Sequence, residues 1–93
     1  MNDYEALFIL KPDISEEDTK GLCKTITEVI VKNSGTVKKE ENWGRRPLAY
    51  PVKKSKEGYY YKVDFNAPAE SVAKLDAAYK LNQSILRTLI TRR

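Results

Sequence analysis

The stretch Tyr4-Glu5-Ala6-Leu7-Phe8-Ile9-Leu10 decides the fold, because it is apolar on both faces of a strand. Successive side chains along a strand point to opposite faces, so the four even-numbered residues share one face. Leu7 and Ile9 make the other face largely apolar as well. A strand of this composition belongs in the centre of a sheet, so the chain must supply strands on both sides of it.

A helix is predicted directly after this strand. Lys11-Pro12-Asp13 interrupts the strand, and Ser15 followed three residues later by Asp18 is a weaker form of the capping box that starts many helices. Over residues 22–30, apolar residues recur at helical spacing. We expect the helix to end at Gly35, because glycine readily adopts the left-handed conformation found at helix ends.

The rest of the chain predicts three strands and a second helix. Residues 36 to about 46 are mostly polar and fit a charged edge strand, after which Pro47 and Pro51 limit the backbone donors. Residues 59–65 alternate between apolar and polar side chains, as a half-buried strand does. The last two predicted elements are a helix from Pro68 to about Leu81 and a strand from Ile85 to Arg92.

The element order β-α-β-β-α-β predicts an α+β ferredoxin-like two-layer sandwich with antiparallel sheet order 4-1-3-2. Two helices that each carry one apolar stripe would cover one sheet face and leave the other face open. We expect a single domain over residues 1–93. We assume that the last strand directs Leu86, Thr88 and Ile90 toward the helices, which places Arg87 and Leu89 on the open face.

Composition argues against catalysis and metal binding. The 93 residues carry a net charge of +4, with one cysteine and no histidine. The absence of histidine removes the commonest general base and most of the capacity for a zinc site, so we expect no cofactor and no metal. No secretion signal is visible and the longest apolar run, residues 6–10, is too short to span a bilayer. We therefore expect a cytoplasmic protein without a membrane partner.

A second stretch, which we call the signature, carries the functional signal: Trp43-Gly44-Arg45-Arg46-Pro47-Leu48-Ala49-Tyr50-Pro51-Val52-Lys53-Lys54, followed by Glu57-Gly58-Tyr59-Tyr60-Tyr61. Basic side chains neutralise phosphates, and aromatic rings stack on bases or fill a partner's pocket, so this composition suits RNA or protein binding. The sequence resembles the family of bacterial small-subunit ribosomal protein S6. The resemblance lies in the glycine, proline and aromatic residues at these offsets and in a last strand that holds Arg87.

The resemblance implies a ferredoxin-like fold and a structural, non-enzymatic function in the ribosome. Members of that family bind the central domain of small-subunit ribosomal RNA as a heterodimer with ribosomal protein S18, in the platform of the subunit. No small-molecule substrate is implied. Many members carry a carboxy-terminal tail, and this sequence stops at Arg93, so contacts made by that tail are not carried over.

Basic residues in and after the signature and at the end of the chain are the candidates for phosphate contact. They are Arg87, Arg92, Arg93, Lys53, Lys54, Lys56, Arg45 and Arg46. Any one of them can instead be a solvated surface charge. Arg45 and Arg46 can also protect an edge strand against unwanted pairing.

Apolar residues of the open face and the signature are the candidates for partner contact, because a contiguous apolar patch usually marks an interface. They are Leu7, Ile9, Tyr60, Leu89, Leu48 and Tyr50. Residues 48–50 can instead seal the bottom of the core. Trp43 fits either packing or contact, whereas Tyr59 and Tyr61 are expected to pack in the core.

Three other functions are compatible with a ferredoxin-like fold. An RNA-recognition module stacks bases on its third strand, but strand parity leaves only Tyr60 of the three tyrosines on the open face. An acylphosphatase-like enzyme needs a phosphate-cradling loop, and Lys11-Pro12-Asp13 contains no glycine and places a carboxylate where an anion would sit. A small regulatory or ligand-sensing domain remains the leading alternative.

Overall fold

The computed structural model describes residues 2–52 and 55–93, with side chains over 2–48 and 57–93. Four strands form an antiparallel sheet in the order β2-β3-β1-β4, which is the predicted order 4-1-3-2 viewed from the other edge. The predicted ferredoxin-like topology is confirmed. The elements are β1 (Asn2–Leu10), α1 (Glu16–Lys32), β2 (Thr36–Val52), β3 (Ser55–Ala67), α2 (Ala69–Lys80) and β4 (Ile85–Arg92).

The core lies between the two helices and the sheet face formed by the even-numbered residues of β1. Ala6, Phe8 and Leu10 are completely buried there. The ring of Phe8 meets Tyr79 of α2 edge-on, with centroids 4.9 Å apart, and lies 6.1 Å from the ring of Tyr61 on β3. Because strand β1 pairs with a neighbour on each side, it occupies the central position that its two apolar faces predict.

Capping and side-chain hydrogen bonds fix the helices. The amide of Asp18 donates to the hydroxyl oxygen of Ser15 at 3.1 Å, as the capping pattern predicts for the start of α1. The buried hydroxyl of Tyr79 on α2 donates to the carbonyl oxygen of Ile26 on α1 at 2.7 Å. The Ser71 hydroxyl donates to the carbonyl oxygen of Asn33 at 2.7 Å and joins the two helices a second time. Neither helix is long and apolar enough to cross a bilayer.

The end of α1 differs from the prediction. Ser34, with φ of 68°, adopts the left-handed conformation that was expected of Gly35. Gly35 is required for a different reason, since a Cβ atom there would lie 2.9 Å from the Ile30 carbonyl oxygen and 3.3 Å from that of Asn66. The glycine therefore permits close backbone contact where α1 leads into β2.

Two strand details also differ from the prediction. Strand β2 was expected to stop near Arg46, but it continues to Val52, and Pro47 still pairs with Glu57. Proline is tolerated there because an edge strand needs donors on one side only. In β4, Thr88 and Ile90 lie opposite Phe8 and Ala6 as assumed, and Leu86 is buried. A register shift pairs Ile85, and not Leu86, with Leu10, so Ile85 also joins the core cluster.

Candidate interface on the open sheet face

The sheet face opposite the helices has an apolar end and a charged end. Paired residues of β3, β1 and β4 form rows across this face, because residues that lie opposite each other in neighbouring strands point the same way. In the order β3, β1, β4, the rows are Tyr60–Ile9–Arg87, Lys62–Leu7–Leu89 and Asp64–Glu5–Thr91.

The apolar end is a patch of five side chains that reaches from β2 to β4. Ile9 and Leu48 lie together over Gly58, whose missing side chain leaves room for them. Ile9 is thereby only 7% exposed, whereas Leu89 on the edge strand is 44% exposed. We call this surface the apolar patch, and its members are Leu7, Ile9, Leu48, Tyr60 and Leu89.

Trp43 extends the patch with an aromatic stack. A β-bulge lies between Asn42 and Gly44, and Gly44 has φ of 78°, in the left-handed region that favours glycine. The Trp43 ring lies nearly parallel to that of Tyr60, with centroids 6.4 Å apart and planes at 8°. The guanidinium carbon of Arg46 lies 5.5 Å from the centroid of the Trp43 ring, within the range of a cation–π contact.

The charged end is a network of ion pairs. The Lys62 ammonium lies 2.9 Å from a Glu5 carboxylate oxygen and 3.6 Å from one of Glu41. Arg93 lies 3.7 Å from Glu5 and 3.5 Å from Asp64. We call this group the charged network, and its members are Glu5, Lys39, Glu41, Lys62, Asp64 and Arg93. Its cations already have partners within the sheet.

The pKa values of the charged end follow these contacts. The hydrogen bond to Glu5 raises the pKa of Lys62, and the hydrogen bond from Lys39 lowers the pKa of Glu41. Beside the network, hydrogen bonds from Lys38 and Asn66 lower the pKa of Asp3. Every one of these shifts favours the charged form, so the pairs stay ionised at neutral pH. This end of the face is internally neutralised, which leaves the apolar patch as the surface suited to a partner.

Comparison with known proteins assigns the family. The sequence model of the family described as Ribosomal protein S6 matches residues 3–92. The chain belongs to the ribosomal protein S6 family. It is 40% identical over 92 residues to the small ribosomal subunit protein bS6 of Thermoanaerobacter pseudethanolicus, with 99% of this chain and 97% of that protein covered.

Two further relatives agree with this assignment. The bS6 protein of Geotalea daltonii is 42% identical over 87 residues, which cover 94% of this chain and 68% of that protein. The crystal structure of 30S ribosomal protein S6 from Thermotoga maritima superposes with a TM-score of 0.94 at 30% identity, covering 99% of this chain and 87% of that one. This S6-family member is thus a structural protein of the small subunit in the cytoplasmic ribosome, and not an enzyme.

The basic residues predicted to contact RNA do not form one cluster among the residues that the structure describes. Arg46 lies over Trp43 beside the apolar patch, whereas Arg45 donates to the carbonyl oxygen of Pro12 at 2.6 Å, away from the patch. Arg87 lies opposite Ile9 at the patch, five residues from Arg92, which corresponds to about 16 Å of strand.

The remaining basic candidates lie at or after the end of β4 or outside the described residues. Arg92 lies opposite Tyr4, which packs in the core, so Arg92 is on the helix side of the sheet and not at the charged end. Arg92 donates to the Asn2 side-chain oxygen at 3.0 Å, and Arg93 belongs to the charged network. Lys53 and Lys54 lie outside the described residues, as do the side chains of Lys56 and Tyr50. Arg87 and Arg46 are therefore the described candidates that flank the apolar patch.

The three consecutive tyrosines divide between the two faces as strand parity predicts. Tyr61 is completely buried, and its hydroxyl donates to a Glu40 carboxylate oxygen, while Tyr59 packs half-buried against the core. Tyr60 alone lies on the open face. The stack with Trp43 was not predicted, although a glycine directly after a tryptophan in an edge strand is the sequence signal for a bulge that could present the indole ring.

Proposed function

We propose that this S6-family protein binds the central domain of small-subunit ribosomal RNA together with ribosomal protein S18. The partner protein contacts the apolar patch, and the tyrosine of the signature, Tyr50, extends that contact. The observation that carries the proposal is the contiguity of Leu7, Leu89 and Tyr60 with the Trp43 ring on a face that no helix covers.

RNA binding in this proposal rests on phosphate contacts at the margin of the patch. Arg87 and Arg46 are the first candidates, because they lie beside the patch where a bound partner and RNA would meet. Arg45, Arg92, Arg93, Lys53, Lys54 and Lys56 are the further candidates. Arg93 must exchange its ion pairs with Glu5 and Asp64 for a phosphate, so we expect a smaller contribution from it.

The test is binding to a central-domain RNA fragment, with and without S18, over a series of salt concentrations. We expect tight binding that requires S18 and weakens steeply with salt, because each phosphate contact releases counterions. Absence of binding under both conditions would contradict the proposal and return attention to a regulatory or ligand-sensing domain.

Substitution of Arg87 makes the same experiment residue-specific. Arg87→Ala is expected to weaken RNA binding at every salt concentration and to reduce the slope of log affinity against log salt by about 1. Lys32→Ala, which removes an exposed charge from the end of α1, is the matched control and should leave both quantities unchanged. An unchanged slope for Arg87→Ala would remove this residue from the proposed site.

A further inference from the structure

A groove separates α1 from strand β2 on the helix side of the sheet, away from the apolar patch. Its volume is about 670 Å³, within the range typical of small-molecule sites. The lining comes from the connection between β1 and α1, from α1 as far as Thr27, from the middle of β2 and from the first half of β3. It includes Lys11, Lys20, Cys23, Lys24, Arg45 and Tyr59.

The groove carries more positive than negative charge. Four cations and two carboxylates line it. Among the described residues, Lys11, Lys20 and Lys24 have no ion pair. Lys32 and Lys74 outside the groove have none with any described residue either, whereas Lys38, Lys39, Lys62 and Lys80 all have one. One of the two carboxylates, Glu40, accepts a hydrogen bond from the Tyr61 hydroxyl, and the four cations outnumber the two carboxylates by two.

Two of these lysines are neighbours on the helix surface. Lys20 and Lys24 are four residues apart on α1, so their side chains lie on the same face within reach of one group. Glu16 lies one turn before Lys20 and Glu28 one turn after Lys24, so opposite charges at the same spacing offset the repulsion between the two lysines within the helix. Two lysine ammonium groups that reach the same point suit a single phosphate group better than an acidic peptide, whose carboxylates are spread along its chain.

Part of the wall of the groove is apolar and unreactive. Ile14, Pro12 and the half-buried ring of Tyr59 contribute to it, together with Cys23, which lies on α1 beside Lys24. Burial and the nearby Glu40 carboxylate raise the pKa of the Cys23 thiol to about 11, so the thiol stays protonated at neutral pH. A wall of this kind can pack against a planar ring but offers no nucleophile.

We infer that this groove binds a nucleotide, with its phosphate at Lys20, Lys24 and Lys11 and its base against Tyr59 and Ile14. The nucleotide is either free or one residue of an RNA strand, since both present the same phosphate and base. The inference does not depend on the partner contact of the proposed function, because the groove and the apolar patch are on opposite sides of the sheet. Arg45, a further candidate for RNA contact in that proposal, lines the groove.

Amide NMR titrations of the whole protein with adenosine monophosphate, adenosine, inorganic phosphate and a hexamer of adenylate test this inference. We expect adenosine monophosphate or the hexamer to shift the amides of Thr19, Cys23 and Thr27, and adenosine to shift none of them. Tighter binding of the mononucleotide would identify a free nucleotide as the ligand, and tighter binding of the hexamer would identify an RNA strand.

Paired variants decide whether the lysines hold the phosphate. The double variant K20A/K24A should weaken binding at least tenfold. The control is Lys74→Ala on α2, which should not change binding, because Lys74 is exposed and has no ion pair with any described residue. Thermal melting of both variants should match that of the parent, because the substituted residues Lys20, Lys24 and Lys74 are exposed. The inference is overturned if no ligand shifts these amides, if inorganic phosphate binds as tightly as the nucleotide, or if K20A/K24A binds normally.

Discussion

Gly58 illustrates how one residue of the signature shapes the candidate interface. A Cβ atom at this position would collide with the Ile9 side chain and lie 3.4 Å from Leu48. The glycine is thus needed for space rather than for an unusual backbone angle, and it allows two apolar side chains to cover the sheet at the edge of the patch. Its position in the sequence signature does not reveal this reason, because Ile9 lies 49 residues earlier in the chain.

Gly58→Ala should lower the free energy of unfolding by about 1–3 kcal/mol, because the added methyl group overpacks the site. Gly21→Ala is the control, since position 21 is an exposed helix residue with no atom within 4 Å of an added Cβ. That change should stabilise the protein by about 0.5–1 kcal/mol. Urea denaturation measures both effects, and equal stability of the two variants would show that Ile9 and Leu48 move away at little cost.

Two buried tyrosines predict loss of stability in alkali. Burial raises the pKa of Tyr61 and of Tyr79 above the ordinary value of 10.0, and hydrogen bonding to Glu40 adds to the effect at Tyr61. A tyrosine with a raised pKa keeps its proton in the folded state but releases it in the unfolded state above about pH 10. Above pH 10 the folded state therefore binds more protons than the unfolded state. The contribution of these tyrosines to the free energy of unfolding is thus constant below pH 10 and falls above it.

Denaturant titrations at pH 9, 10 and 11 test this expectation. Tyr79 should contribute at most about 1.4 kcal/mol of lost stability per pH unit above pH 10. Tyr79→Phe removes that contribution, so its stability should fall less steeply with pH than the parent's. Tyr60→Phe, at the open face, serves as the control and should follow the parent. Parallel curves for parent and Tyr79→Phe would mean that Tyr79 ionises without hindrance in the folded protein.

At the scale of the elements, the sequence predicted where a helix begins better than where it ends. Ser15 marks the beginning of α1 because its hydroxyl contacts an amide only three residues away, which is a local interaction. The end of α1 depends on contacts of Gly35 with Ile30 and with Asn66 on β3, 31 residues later. No local pattern reports such a distant contact, so glycine was assigned the wrong conformational role.

The end of α1 also predicts opposite effects for two adjacent substitutions. Ser34→Gly should stabilise the protein by up to about 1 kcal/mol, because glycine adopts the left-handed conformation without the penalty that serine meets. Gly35→Ala should destabilise it by about 1–3 kcal/mol, because its Cβ would meet the Ile30 and Asn66 carbonyl oxygens. Thermal unfolding measures both, and stabilisation by Gly35→Ala would contradict the described geometry.

At the scale of the whole molecule, the alternation of residues predicted which side chains face outward but not how they pair. The parity of β1 and β3 placed Leu7, Ile9 and Tyr60 on the open face, where the structure has them. The register shifts of β2 at Val37 and Asn42 decide which charges of β2 meet those of β3. The charged network and the Trp43 stack follow from these shifts, and neither could be inferred from spacing alone.

The division of the open face leads to a prediction about partner association. Leu89→Asp places a charge on the exposed edge of the apolar patch, and we expect it to weaken association with S18 at least tenfold. The fold should remain intact, because Leu89 is already 44% exposed. Ile9→Asp is a poorer test, since Ile9 is buried against Leu48 and the charge would destabilise the fold itself.

The matched control for this prediction is Ala73→Asp, which introduces the same charge at an exposed position of α2 behind the sheet. Calorimetric titration of each variant with purified S18 gives the affinity, and a circular dichroism melt verifies the fold. Weaker association of Leu89→Asp alone, with both variants folded, assigns the contact to the open face. Equal loss in both variants would mean that overall charge governs association, and normal association of Leu89→Asp would place the partner on another surface.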